Sequence, residues 1–421
     1  MRTIVHWEMM LLLWFFGLSL QAQTPAPVKL TLGNTEISYL YGAGKADGVL
    51  VVMPTQIEKP DTEWKSWSEI AASRGWHIVM PVTGAGGDGA AKMLDAMVAD
   101  VRAKNKLTNA PFYLVGAGPL APMVMYVICR APHIFSAGLA IGGSARPAVD
   151  TDRLFAGNTA LVPVGWALTA EERAEQGPVY QKMQTRGFRL EVLESPTILQ
   201  AMNWLAKHPY TAHPLKVDCE TGSPAMTRCY WIQPTEFDPA MRNDALPSTR
   251  VPPEVTASLD FGGFGYSLSK PGPGVVVEFL PENYKGPLKV GDRLTALSGK
   301  AILDPKHYVE LLGEVREEKP VAVTIERMEG KEKERVRLVT RYVLRKREEV
   351  ITARIQAEYL TDAKEIVIVT RTVSALRVTV PEAWAPATIN WNGQPVATPH
   401  NAGCYVLSLK EGGASKPCPQ Q

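Results

Sequence analysis

Between Val28 and about Lys207 the chain alternates short β-branched runs with amphipathic segments, and this alternation restricts its fold more than any other feature. The runs include Gly48 to Met53, Trp76 to Val82, Pro111 to Val115, Ala137 to Ile141, Ala160 to Trp166 and Phe188 to Leu193. Between them lie helix-like stretches such as Trp64 to Ser73, Ala90 to Lys104, Pro122 to Arg130, Pro178 to Arg186 and Ile198 to Lys207. Neighbouring parallel strands need a crossover long enough for a helix, so strand and helix repeated in this order predict a mostly parallel sheet covered on both faces. Residues 28–207 are therefore expected to form one α/β domain.

Beyond it the pattern changes three times. From His208 onwards the periodicity stops while Pro, Asp and Thr accumulate, and residues 208–254 read as a linker. Residues 255–344 are strand-rich, with one helix from Pro305 to Val315 and a charged hairpin tip at Glu329-Gly330-Lys331. Residues 348–410 open on strict alternation: Ile351, Ala353, Ile355, Ala357 and Tyr359 face one way, Thr352, Arg354, Gln356 and Glu358 the other. With later strands and an Asn392-Gly393 turn, they predict a small antiparallel β domain. The fold class expected is α/β plus β.

Residues 1–22 hold Arg2 and an apolar run from Met9 to Leu20. As a helix that run spans only about 18 Å, short of a bilayer core of roughly 30 Å. It reads as a cleaved signal peptide, so the mature chain is expected in the periplasm or outside the cell, without a transmembrane segment. Lys and Arg number 45 against 43 Asp and Glu, which leaves no excess charge for nucleic acid. In an exported chain Cys219 and Cys229 are the best disulfide candidates and Cys404 with Cys418 a second pair, leaving Cys129 as a buried thiol in an apolar helix. No His or Cys spacing suits zinc, and neither metal nor cofactor is expected. The Gly84 to Gly89 cluster lacks the ending of a phosphate loop and reads as a turn.

The order of elements from Gly48 to Lys207 resembles the α/β-hydrolase fold of secreted esterases and dienelactone-hydrolase-like proteins. The resemblance implies a nucleophile elbow, G-x-S-x-G, after the strand Pro111 to Val115. The matching residues are Gly116, Ala117, Gly118, Pro119 and Leu120, and Gly118 has no side chain with which to attack a carbonyl. Where the acid is implied, the chain reads Ala167-Leu168-Thr169-Ala170 before Glu171 and Glu172; where the His is implied, Glu194-Ser195-Pro196-Thr197. A triad needs all three groups within reach of one another, so a catalytically degenerate domain is expected. The alternative is a relocated site with Ser144 as nucleophile. His77, inside a strand pattern, reads as a core or edge histidine, and His133, in a turn, as solvated.

Gly263-Phe264-Gly265-Tyr266, followed by Ser267-Leu268-Ser269, resembles the G-Φ-G-Φ carboxylate loop and ligand-pairing strand of PDZ domains. Leu288 to Leu294, containing Gly291-Asp292, and Leu297-Ser298-Gly299-Lys300 resemble a further segment of bacterial PDZ modules. The resemblance covers about 90 residues and implies β-augmentation, in which a peptide adds to an edge strand. Phe264, Tyr266 and Leu268, with Val309 and Leu312 on the helix, would line the groove; Leu268 and Leu312 read equally well as core. Asp260 stands where a basic residue would help, and His307 is expected to point to solvent. Residues 348–410, through Ile366 to Val380 and Asn390-Trp391-Asn392-Gly393, are similar to the small β domain of some prolyl-oligopeptidase-like esterases.

These readings point to an exported binding protein whose PDZ domain takes peptide or protein partners. The rival is a secreted esterase or peptidase with a displaced serine. A third reading covers the groove with the chain's own linker.

Overall fold

A computed structural model describes residues 24–251, 257–261, 264–267, 270–280, 284–313, 320–329, 332–344, 351–410 and 414–418. The expected leader lies outside them. The chain divides into a main unit, 1–252 with 351–421, and an inserted unit, 253–350.

The main unit begins with β1 (Val28–Leu32), β2 (Thr35–Gly42), β3 (Val49–Met53), β4 (His77–Pro81), β5 (Phe112–Ala117), β6 (Ala137–Ile141), β7 (Val164–Leu168) and β8 (Leu190–Glu194). Between them run α1 (Asp61–Ser73), α2 (Gly87–Asn105), α3 (Ala121–Arg130), α4 (Arg146–Val149) and α5 (Ala170–Thr185), with α6 (Ile198–Leu205) after β8. The strands form one sheet in the order β1-β2-β4-β3-β5-β6-β7-β8, parallel from β4 to β8. The apolar runs are continuous because both sheet faces are covered. Val49 and Val51 of β3 and Phe112 and Leu114 of β5 enter the core shared with Leu94, Met97 and Ile128. Leu50, Val52, Tyr113 and Val115, one residue out of phase, enter the opposite core with Trp64, Trp76 and Trp204. Cys129 is buried in α3, and burial pushes its thiol up to about 12.

The segment 208–254 is not a plain linker. It contains β9 (Lys216–Thr221) and β10 (Ile232–Phe237). The inserted unit follows with β11 (Ala257–Leu259), β12 (Gly265–Ser267), β13 (Val275–Phe279), β14 (Arg293–Leu297), β15 (Lys300–Ala301), α7 (Pro305–Gly313), β16 (Pro320–Glu329) and β17 (Glu332–Leu344). The chain then returns through β18 (Ala353–Leu360), β19 (Glu365–Arg371), β20 (Val373–Val380), β21 (Thr388–Trp391), β22 (Gln394–Ala397), β23 (Gly403–Ser408) and β24 (Ala414–Pro417).

The C-terminal strands do not form a separate third domain. β9 pairs with β18, Cys219 opposite Ile355, in the sheet β22-β21-β19-β18-β9; β10 pairs with β20, Ile232 opposite Val378, in the sheet β10-β20-β23-β24. The β19–β21 pair is parallel, so this part is mixed rather than purely antiparallel. Both sheets feed one core with Ile355, Ile368, Trp231, Leu376 and Trp391. Disulfides join Cys219 to Cys229 and Cys404 to Cys418.

Ile351, expected inside, is 57% exposed, while Thr352 and Arg354 of the supposed polar face are buried. The reason is a pair of carboxylates on β9. Glu220, 2% exposed, accepts from Ser248 Oγ and Thr352 Oγ1 on Oε1 (2.5 Å each) and from Thr249 N (2.7 Å) and Oγ1 (2.8 Å) on Oε2. Asp218 accepts from Arg354 Nε (2.9 Å) and Nη2 (2.6 Å) and from Gln356 (2.9 Å). Asn158, just before β7, donates Nδ2 to the Glu220 carbonyl (2.9 Å) and to that of Cys129, and accepts from Glu220 N (2.6 Å).

Two predictions follow from this packing. Glu220→Ala leaves several buried donors without an acceptor and lowers the stability of the main unit by roughly 3 kcal/mol or more. Urea unfolding followed by tryptophan fluorescence isolates that unit, since all ten Trp lie outside 253–350; a loss under about 1 kcal/mol would contradict the role given to Glu220. Cys219→Ser/Cys229→Ser opens a loop of about ten residues and costs roughly 2 to 3 kcal/mol in the same assay. Free thiols at both positions in non-reduced protein would contradict the bridge.

Candidate functional site

The turn after β5 is built by close packing. A Cβ on Gly116 would stand 2.8 Å from Val124 Cγ2 and one on Gly138 of β6 2.8 Å from Val124 Cγ1, so two glycines let α3 settle directly on the strands. Between β5 and α3, Gly118 has φ +53, the left-handed turn of an elbow, and a Cβ there would meet nothing within 4 Å. The space for a nucleophile is open and the side chain is missing. Gly143, in the loop after β6, backs onto this turn: its Cβ would lie 2.2 Å from the Gly118 carbonyl oxygen.

Two further features were not anticipated from sequence. In hydrolase elbows the N–H of the residue after the nucleophile helps to hold the oxyanion, with a second N–H from the loop after the third strand. Here the first of these residues is Pro119, which has no N–H. In the loop after β3, Glu63 accepts from Thr55 N (2.9 Å) and Gln56 N (3.2 Å), so its carboxylate takes up both amides. Pro119 was readable in the sequence; Glu63 was not, because its role depends on how α1 returns over the loop.

The remaining implied positions carry structural roles. After β7, Glu172 closes a capping box on α5: its Oε2 accepts from Thr169 N (2.9 Å), and Thr169 Oγ1 accepts from Glu172 N (3.2 Å). After β8 come Ser195, Pro196 and Thr197, the last capping α6. Ser144 Oγ donates to Gln176 Oε1 (2.9 Å) and accepts from Arg146 N (3.2 Å).

The imidazoles lie elsewhere. His77 begins β4, at the sheet end opposite Gly118; its Nδ1 accepts from Gly44 N (3.1 Å) and lies 2.7 Å from Tyr41 Oη, and burial holds its pKa below the usual value. His133 is buried, not solvated, with Nε2 3.4 Å from Asp95 Oδ1; it precedes Ser136, whose N–H bonds the first residue of β5. His208 packs against Trp204, whose ring abuts Gly165 near the start of β7.

A pocket of about 460 Å³ opens beside the elbow, lined by Pro119, Leu120, Met123, Tyr126, Pro147 and Arg153. Its polar side is organised by Asp88, which accepts from Tyr126 Oη (2.8 Å) and Arg130 Nε (2.8 Å). Burial pushes the Asp88 carboxyl up, but hydrogen bonds from Arg130 and Tyr126 and the charges of Arg130 and Arg153 outweigh it and hold the group below its usual range. Among the described residues no cluster of His, Cys, Asp and Glu could hold a metal ion, and no helix is long and apolar enough to cross a membrane.

In the inserted unit the strands run β11-β17-β16-β14-β13-β12, so β12 is an edge. The Tyr266 ring meets Tyr308 of α7 edge-on at 5.2 Å, and Phe264 lies 6.3 Å from Tyr266. Phe264, Tyr266 and Leu312 are half-buried against the core, whereas Val309 is 45% exposed. Gly263 and Leu268 lie outside the described residues. Gly265 belongs to β12 rather than to a left-handed turn, and its Cβ would press to 3.2 Å from Phe279 Cβ across the pair. Asp304 caps α7 by accepting from His307 N (2.8 Å), and His307 Nδ1 turns back to accept from Leu303 N (3.2 Å) instead of pointing to solvent. Asp292, 1% exposed, accepts from Arg327 Nε (2.8 Å) and Lys289 N (2.7 Å), which gives the Gly291-Asp292 pair a structural role.

No protein-family model matches the chain, and no curated protein matches it either. Among solved structures it is similar to a dienelactone hydrolase from Anabaena variabilis, 10% identical at TM-score 0.34, covering 45% of this chain and 99% of that one. It is also similar to a soluble variant of monoglyceride lipase from Saccharomyces cerevisiae (10%, TM-score 0.33, 45% and 97%). For the esterase Est22 the values are 11%, 0.31, 40% and 70%. The activities of those proteins are their own; at this chain's own turn, Gly118 offers no nucleophile and Pro119 no amide.

Restoring a hydroxyl at the elbow tests that reading. Gly118→Ser fits the open space at a cost of about 1 kcal/mol for a left-handed serine and gains no hydrolysis of short-chain p-nitrophenyl esters over wild type. Saturable turnover by the variant would show that a base and an oxyanion site are present after all.

Proposed function

We propose that this chain is an exported binding protein whose hydrolase-like sheet is catalytically silent and whose inserted unit is a PDZ domain that captures peptide or protein partners. The observation that carries the first half is Gly118 followed by Pro119: one turn lacks both the nucleophile and the amide that would hold an oxyanion. The occupied amides of Thr55 and Gln56 support it. The rival, a hydrolase using Ser144, is disfavoured by the hydrogen bond that Ser144 gives Gln176 rather than a base.

The second half rests on the edge strand β12 beside α7, with Tyr266, Leu312 and exposed Val309 at hand for an added strand. The reading in which the linker fills the groove loses support, because residues 208–251 supply β9, β10 and a return in which Val251 N donates to the Leu154 carbonyl (3.1 Å). Export is supported by the two disulfides. Nucleic acid is not among the proposed partners.

Selection from a library of peptides with free C-termini, on the immobilised full chain, tests the groove. Wild type enriches a sequence class, and Val309→Arg, placed on an exposed helix position, weakens the best peptide at least tenfold, or about 1.4 kcal/mol. Gly265→Trp acts in the same direction. No enrichment, or equal binding by Val309→Arg, contradicts the peptide reading.

A further inference from the structure

The outer face of the β16–β17 hairpin carries a concentration of charge that neither the elbow nor the groove uses. Along β17 the core side takes Val336, Leu338 and Thr340, and the other side shows Lys333, Arg335, Arg337, Val339 and Arg341, all exposed. Their partners on β16 are, in order, Met328, Glu326, Thr324, Ala322 and Pro320. Glu326 is the one acid on this face of the hairpin among the described residues; beside it, Asp260 follows β11 and gives its N–H to the Arg341 carbonyl (2.9 Å), and Glu278 stands on β13, two strands from β16. Lys333 Nζ (2.5 Å) and Arg335 Nη2 (3.3 Å) already contact Glu326, and their hydrogen bonds hold its carboxyl below the usual range. Arg337 and Arg341 have no ion-pair partner among the described residues.

Same-face residues on a strand are about 6.8 Å apart, so the ladder from Lys333 to Arg341 extends about 27 Å. A face kept only for solubility intersperses both signs, because like charges at this spacing repel. Within the ladder, two large apolar side chains stand open to solvent, Val339 at 70% and Met328 at 61%. Cations would be sufficient for a phosphate polymer, which gives no return for exposed Val and Met. A bilayer surface rewards both, with anionic headgroups for the cations and the acyl boundary for the apolar groups.

We propose that this face docks on an anionic lipid surface. It is distinct from the β12 edge and does not depend on the peptide reading. The test is sedimentation of the full chain with vesicles of phosphatidylcholine alone or mixed with phosphatidylglycerol; the neutral vesicles measure any contribution of the apolar leader. The expected result is binding to the anionic vesicles at least tenfold tighter than to neutral ones, falling as salt rises. Arg337→Glu/Arg341→Glu removes that preference, Arg337→Gln/Arg341→Gln reduces it with less risk to folding, and Val339→Ser weakens binding at constant charge. Circular dichroism checks the fold of each variant. Equal binding to the two vesicle types, or variants that bind as wild type, overturns the proposal. So does capture by soluble polyphosphate that depends on both arginines while Val339→Ser has no effect, which assigns the face to a soluble polyanion.

Discussion

One buried carboxylate organises the main unit. Glu220 sits inside without an ion-pair partner among the described residues, and it is tolerable there because three hydroxyls and a backbone amide satisfy both its oxygens. Its donors come from Ser248 and Thr249, just before the insertion, and from Thr352, just after it. The same residue's backbone is held by Asn158, which reaches across from the parallel sheet and also touches the end of α3. The β strands, the parallel sheet and both flanks of the insertion therefore converge on one side chain. An insertion of this kind requires chain ends fixed close together, and Glu220 is the group that fixes them.

The turn after β5 combines close packing with an open position. Gly116 and Gly138 bring α3 against the sheet, and Gly118 keeps the left-handed turn, so the frame of a nucleophile site persists. The turn carries no attacking atom at Gly118 and no amide at Pro119, and Glu63 takes up the amides of Thr55 and Gln56. Nearby, Glu172 caps α5 and Ser144 hydrogen-bonds Gln176. Beside the turn lies a pocket whose Tyr126 side is organised by Asp88.

Short apolar runs alternating with helix-length amphipathic stretches were enough to foresee the parallel sheet, and each run divides between two cores because helices cover both faces. The elbow position was legible for the same reason: a strand, a glycine-rich turn and a helix occur in order. β9 and β10 were not legible, since their partners lie more than a hundred residues on, and a Pro- and Asp-rich stretch shows no period of its own. The polar side of β18 misled because Thr352 and Arg354 are buried against acids from that same stretch. His133 looked solvated because a sequence does not show that Asp95 lies opposite. These misses come from pairings between residues far apart in sequence, which local pattern does not encode; His307, held by Leu303 and Asp304, is a local exception.

The proposal on which the rest turns is that the main unit is catalytically silent. Intact mass after incubating the full chain with excess fluorophosphonate tests it most directly, since any activated serine gains one adduct. The account predicts an unmodified mass. A single stoichiometric adduct, lost on Ser144→Ala or mapped to any other serine of residues 24–252, would contradict it.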